Sequence, residues 1–179
     1  MNQVATKPLL KLNLGCRGTR FPGFKNVDIN PDHDVDFMMD AFDLKVFENG
    51  LVEEIYASNL LEHSSHIKTL GILKEWNRVL VKGGKLWLSV PDFEVIIRLF
   101  DKSKTLTPWM INHLYGDQVY PEAFHYVCFT FQNLRALLDE AGFTQVNRIK
   151  FLPYSDTDCS SNVDTIDFLP TSINLEAIK

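Results

Sequence analysis

Short apolar runs alternate with amphipathic stretches along this chain. Residues 9–14, 26–29, 35–38, 54–58 and 85–90 read as strands, because each is brief and rich in apolar or β-branched side chains. Between the last two, Ile67, Leu70, Leu73, Trp76 and Leu80 recur at three- and four-residue spacing, which predicts a helix with one apolar stripe over 67–80. Gly83 and Gly84 are expected to stop that helix and turn the chain into the strand KLWLSV. Its consecutive Leu86, Trp87 and Leu88 suit a strand covered on both faces. A further helix, FQNLRALLDEAGF, has Thr130 placed to cap its start and Gly142 its end. QVNRIKFL then reads as a strand, and SINLEAIK, alternating apolar and polar, as its antiparallel partner. The alternation of strands and helices predicts an α/β, Rossmann-like three-layer sandwich. Its seven-stranded sheet should be mostly parallel, with an antiparallel last strand and a shortened first crossover helix.

Length and charge narrow the picture. With 179 residues, 45% of them hydrophobic, the chain supports one substantial core, so residues 1–179 are expected to form a single domain with a lid or insertion over about 93–127. Neither a membrane-spanning window nor a signal-peptide core is present, which points to a soluble, cytoplasmic protein. Cys16, Cys128 and Cys159 are odd in number and lack CxxC spacing, so they read as free thiols. A net charge of −5 offers no footprint for nucleic acid.

The chemistry concentrates in LNLGCRGTRFPGFKNVDIN, residues 12–30: a strand, a glycine-bearing loop, then a second strand ending in Asp28. That arrangement sets backbone and carboxylate at the carboxyl edge of a parallel sheet, where ligands bind. Dinucleotide folds seat a pyrophosphate on the first crossover helix and place their acidic residue about 20 residues on. Here Gly15 and Asp28 are thirteen apart with Pro22 and Gly23 between them, so little helix can form. A nucleoside without phosphate fits better. S-adenosylmethionine is one.

In LNLGCRG, NVDIN, MMDAFDL, YASNLLEH, LVKGGKLWLSVPD and FTFQNLRALLDEAGF, taken in that order, the chain resembles a small class I S-adenosylmethionine-dependent methyltransferase of the "methyltransferase domain 11" type. The resemblance implies Gly15 and Cys16 against the cofactor, Asp28 and Ile29 around its ribose, Asp40 and Ala41 at its adenine, and Asn59 and Leu60 near its methionine part. Two positions depart from the pattern. Asn13 stands where an acidic residue near the ammonium is common, and Arg17 replaces a glycine. Either the loop is shifted by one residue, so that Gly18 takes the permissive position and the Arg17 side chain is free to reach the cofactor's carboxylate or an anionic acceptor, or Arg17 is held in a strained left-handed conformation and the site is weakened. The product would be S-adenosyl-L-homocysteine.

For catalysis, His125 in PEAFHYVCFT is suited to accept a proton near neutral pH, or else it structures the lid. Asp92, directly after the fifth strand, is a second candidate. Trp109, Tyr115, Tyr120, Phe124 and Tyr126 either line an acceptor pocket or form a satellite core. His63 and His66 lack a third ligand, so no metal site is expected and they read as capping or surface histidines. The polar segment 155–167 reads as a solvated connection, with overhang of the site as the alternative. The function expected is methyl transfer to a small-molecule or saccharide-like acceptor, by a chain that could self-associate. The alternative is a non-catalytic cofactor-binding or partner subunit on a degenerate methyltransferase fold. A NAD(P)-dependent reductase is disfavoured by the short crossover, and an aminopropyltransferase by the lack of lid carboxylates aimed at a polyamine.

Overall fold

The computed structural model of the chain describes residues 8–154 and 171–179, so the 155–167 segment and Cys159 lie outside the described residues. Seven strands form one sheet: β1 (Leu10–Leu14), β2 (Phe24–Asp28), β3 (Phe37–Met38), β4 (Val52–Ser58), β5 (Leu80–Pro91), β6 (Gln145–Ile149) and β7 (Ser172–Ile178). Their spatial order is β3-β2-β1-β4-β5-β7-β6. Pairs β1–β2, β1–β4, β2–β3 and β4–β5 are parallel, and β7 runs antiparallel to both β5 and β6. The expected mostly parallel sheet with an antiparallel last strand is what the chain forms.

Strand order reverses between β1 and β4, so the loops after these two strands open to opposite sides of one crevice, where α/β sheets bind ligands. The central strands are buried, with Leu12, Leu14, Ile55, Ala57, Leu86 and Leu88 at the core. Helices α1 (Thr69–Val79) and α4 (Phe131–Ala141) pack together over that core. Helix α4 starts at a capping box between Thr130 and Asn133 and ends at a left-handed Gly142, both caps as expected.

Three expectations need correction. The buried face of α1 is Thr69, Ile72, Leu73, Trp76 and Val79, a stripe rotated from the predicted one, and Ile67 lies before the helix, 81% exposed. Helix α1 stops without help from the glycines: Leu80 already pairs with Val52, and Gly83 and Gly84 fall in an irregular part of β5 before pairing resumes at Glu54 and Lys85. The β1–β2 connection, residues 15–23, holds no helix at all. Residues 93–127 form a strap of two helices, α2 (Phe93–Ser103) and α3 (Pro108–Tyr115), and a 3-10 turn (Pro121–Ala123).

Candidate cofactor and acceptor site

The loop after β1 is built around one carboxylate. Asp28, only 7% exposed, accepts the Asn30 N–H on Oδ1 (2.9 Å) and the Arg17 N–H on Oδ2 (3.0 Å), and His33 Nδ1 lies 3.1 Å from Oδ2. Burial works against its charge, but these donors outweigh burial and hold the carboxyl below its ordinary range. The Cys16 thiol sits 3.9 Å away, and burial pushes its pKa up, which keeps it a neutral packing group. Backbone angles in the loop are left-handed at Gly15 (φ 62°), Arg17 (φ 46°) and Gly18 (φ 81°). Gly18 thus takes a permissive position as expected, yet Arg17 does not escape strain of about 1–2 kcal/mol. Its N–H bond to Asp28 offsets that strain. Its guanidinium reaches out to the Tyr120 hydroxyl at 3.2 Å, tying the loop to the strap.

Asn13 does something different from what its position suggests. The side chain is 3% exposed and donates to Thr19 O (2.8 Å) and Asn26 Oδ1 (3.1 Å). Asn26 in turn donates to Thr19 O and Asp34 O. An amide serves here because it can stitch buried backbone carbonyls, which a carboxylate cannot.

The neighbouring loops converge on the same edge. Ile29 is 56% exposed beside Asp28, and Met39 N–H bonds the Asp28 carbonyl (3.0 Å), bringing Asp40 and Ala41 alongside. Asp40 is exposed and accepts the Phe42 N–H at 2.8 Å in a local turn. Ala41 is buried, its carbonyl held by Trp76 Nε1 at 2.9 Å from beneath. After β4, Asn59 is left-handed (φ 47°) and its N–H bonds Ser89 O (2.9 Å). Leu60 then lies over the first loop: a Cβ on Gly15 would stand 2.7 Å from Leu60 Cδ1. Glycine is needed at 15 for that approach as well as for its angle.

One turn further on is a group that the sequence did not reveal. Glu62, in the 3-10 turn Leu61–His63, is 1% exposed, and neither carboxylate oxygen has a hydrogen-bond partner. Burial pushes its pKa up to about 8. The strap returns over this turn, with Tyr126 N–H bonding the Glu62 carbonyl at 2.8 Å, and delivers His125. Rings of His63 and His125 meet edge to face at 4.7 Å. His63 Nδ1 lies 3.0 Å from Phe124 O, and His125 Nδ1 lies 3.0 Å from His113 O. Burial first, and for His63 also the neighbouring His125, lowers both histidines' pKa and favours neutral rings. His66, paired with His63 in the sequence reading, is exposed and stands apart from this group. No sequence signal marks Glu62 as buried, since NLLEH reads equally well as an amphipathic turn.

Asp92 is placed otherwise. It caps α2 through the Glu94 N–H (3.0 Å) and pairs with Arg148 Nη2 (2.6 Å) at 2% exposure, so both oxygens are engaged in structure. Of the strap aromatics, Tyr115, Tyr120 and Tyr126 are exposed, and Trp109 stacks on His113 at 3.8 Å. Trp109 also lines a cleft of about 330 Å³ with Leu99, Lys102, Ser103, Thr107 and Met110.

Among solved structures, the chain superposes on a methyltransferase of Archaeoglobus fulgidus that depends on S-adenosylmethionine, with TM-score 0.64 and 16% identity over 96% of this chain and 86% of that one. A methyltransferase of Thermotoga maritima with the same dependence matches with TM-score 0.61 and 17% identity over 98% and 84%. The chain has the fold of S-adenosylmethionine-dependent methyltransferases. A third structure with that methyltransferase fold is the 1,6-didemethyltoxoflavin-N1-methyltransferase of Burkholderia thailandensis, solved with 1,6-didemethyltoxoflavin and S-adenosylhomocysteine bound; TM-score is 0.58 and identity 17% over 97% and 72%. No family model and no curated protein matches the chain. Among the described residues, no helix is long and apolar enough to cross a membrane.

Proposed function

We propose that the chain is an S-adenosylmethionine-dependent methyltransferase acting on a small-molecule or saccharide-like acceptor. The observation that carries this reading is the Asp28 carboxylate at the crevice edge, with Oδ1 accepting one bond among the described residues and thus keeping a lone pair for a ribose hydroxyl. Gly15, Cys16, Arg17 and Gly18 would supply the backbone wall, Ile29 an apolar contact beside the ribose, and Asp40 and Ala41 the adenine end. Asn59 and Leu60 would border the methionine part. The absence of a helix over residues 15–23 disfavours any cofactor that needs a pyrophosphate anchor.

When bound, S-adenosylmethionine supplies an activated methyl group, and what remains for the protein is alignment and handling of the acceptor's proton. His125, packed against the His63 ring and close to the Glu62 carboxylate, is placed on the acceptor side in this proposal. Asp92 is left out of the proton path, because its oxygens already serve α2 and Arg148. The strap, residues 93–127, is the acceptor-side cover within the single domain.

The partner-subunit reading draws on one observation, the Arg17 and Asn30 N–H groups already held by Asp28. Thermal unfolding with S-adenosylhomocysteine separates the two. The enzyme reading expects the melting temperature to rise with ligand by mass action, and Asp28→Ala to weaken binding by about 1.5–3 kcal/mol. No shift at millimolar ligand would support the partner subunit instead.

A further inference from the structure

We infer that Glu62, His63 and His125 form a binding site for a divalent first-row transition cation. A carboxylate oxygen of Glu62 and one ring nitrogen from each histidine lie within 4.8 Å of one another. In a tetrahedral shell, bonds of about 2.1 Å place donor atoms about 3.4 Å apart, so the three groups must draw together from their present spacing on binding. The Glu62 carboxylate is buried with both oxygens unpartnered, an arrangement that is costly unless a proton or a cation neutralises it.

Each histidine has one ring nitrogen engaged by the backbone. Each Nδ1 meets a backbone carbonyl, Phe124 O or His113 O, at 3.0 Å. A carbonyl only accepts, so each Nδ1 carries the hydrogen and each Nε2 keeps a bare lone pair. Backbone carbonyls fix the ring tautomer of metal-bound histidine in this way. Hydrogen bonding within the group is not an alternative account, because Glu62 has no partner in either ring.

Two imidazoles and one carboxylate favour Mn²⁺, Fe²⁺, Co²⁺ or Zn²⁺ over Mg²⁺ and Ca²⁺, which prefer all-oxygen shells. Three protein ligands leave coordination positions open. Those positions suit an oxygen-bearing acceptor, whose hydroxyl the cation would acidify; with the cation bound, His125 acts as its ligand and not as the proton acceptor. That use of the cation rests on the methyltransferase reading, whereas the binding of the cation does not.

Cobalt(II) titrated into the full chain without cofactor, followed by visible absorption, tests the site. One equivalent should produce d–d bands without a sulfur-to-cobalt charge-transfer band, and Zn²⁺ should displace them. Glu62→Gln, His63→Gln and His125→Gln should each weaken binding at least tenfold, and His66→Ala should not alter it. Retained affinity in all three substituted chains, a sulfur-to-cobalt band, or no uptake at millimolar cobalt overturns the proposal. Should the substituted chains lose their circular dichroism, imidazole nitrogen signals of the five histidines in the unsubstituted chain decide. Zn²⁺ must then move Nε2 of two of them, and if none moves the site is refuted. A parallel titration of S-adenosylhomocysteine in EDTA reports on the cofactor separately.

Discussion

Replacing Asp28 by asparagine exchanges one heavy atom and should cost more than the size of that change suggests. In the native loop each carboxylate oxygen accepts its own backbone N–H, Asn30 on Oδ1 and Arg17 on Oδ2. Asparagine has one carbonyl oxygen, so its amide NH2 must face whichever N–H remains. That leaves a donor against a donor at a position 7% exposed. Losing one charge-assisted bond and leaving its donor unsatisfied comes to about 2–4 kcal/mol. At about 2–4 °C per kcal/mol for a chain of this size, the melting temperature should fall by about 10 °C without any ligand. The pH dependence has a definite sign. The folded-state pKa of Asp28 lies below its ordinary 3.8, so its contribution is present above about pH 4 and disappears as pH falls through the lowered value. Asp28→Asn should therefore lose its stability deficit on acidification toward pH 3. Urea unfolding at pH 7 and at steps through the range below pH 3.8 measures both effects. A deficit under 0.5 kcal/mol at pH 7, or one that grows in acid, would refute the claim that this carboxylate organises the loop.

Three further substitutions probe neighbouring parts of the account. Arg17→Gly relieves about 1–2 kcal/mol of left-handed strain but adds about 0.5–1 kcal/mol of unfolded-state entropy and removes the Tyr120 contact, so stability should change by less than about 1 kcal/mol. Cofactor affinity should not improve, and a tenfold gain on titration, about 1.4 kcal/mol, would contradict this. Gly116→Ala sets a Cβ 1.8 Å from Ala123 O at a φ of 77°, so the strap cannot keep its path. Cation uptake should fall at least tenfold while S-adenosylhomocysteine binding stays within about threefold, and equal losses would show that the strap is not independent of the cofactor loop. Trp76→Phe removes the indole N–H from Ala41 O in a fully buried position, which should cost about 2–4 kcal/mol by urea unfolding, and a loss below 0.5 kcal/mol would mean the bond contributes nothing.

The parts of this molecule legible in its sequence are those set by local periodicity and by capping chemistry. Alternation of apolar runs predicted the sheet, and Thr130 and Gly142 marked the ends of α4, because strand burial and helix caps depend on near neighbours. The α1 stripe was misread by about one position. Ile67 matches the period but lies outside the helix, and no local signal distinguishes it from Ile72. Asn13 and Glu62 were illegible for a different reason. What each amide or carboxylate meets depends on chain segments far away: Asn13 on the fold of the 15–23 loop, Glu62 on a strap that returns more than sixty residues later. Arg17 falls between these cases. The sequence showed that its backbone was out of place, and only the bond to Asp28 explains why it is tolerated.

The central claim is that the Asp28 loop binds the adenosine of S-adenosylmethionine, and isothermal titration calorimetry with S-adenosylhomocysteine in EDTA tests it most directly. The account predicts saturable binding at one ligand per chain, weakened at least tenfold by Asp28→Ala, with NAD(P)H giving no heat. No heat with S-adenosylhomocysteine at millimolar concentration, or equal affinity in the Asp28→Ala chain, would contradict it.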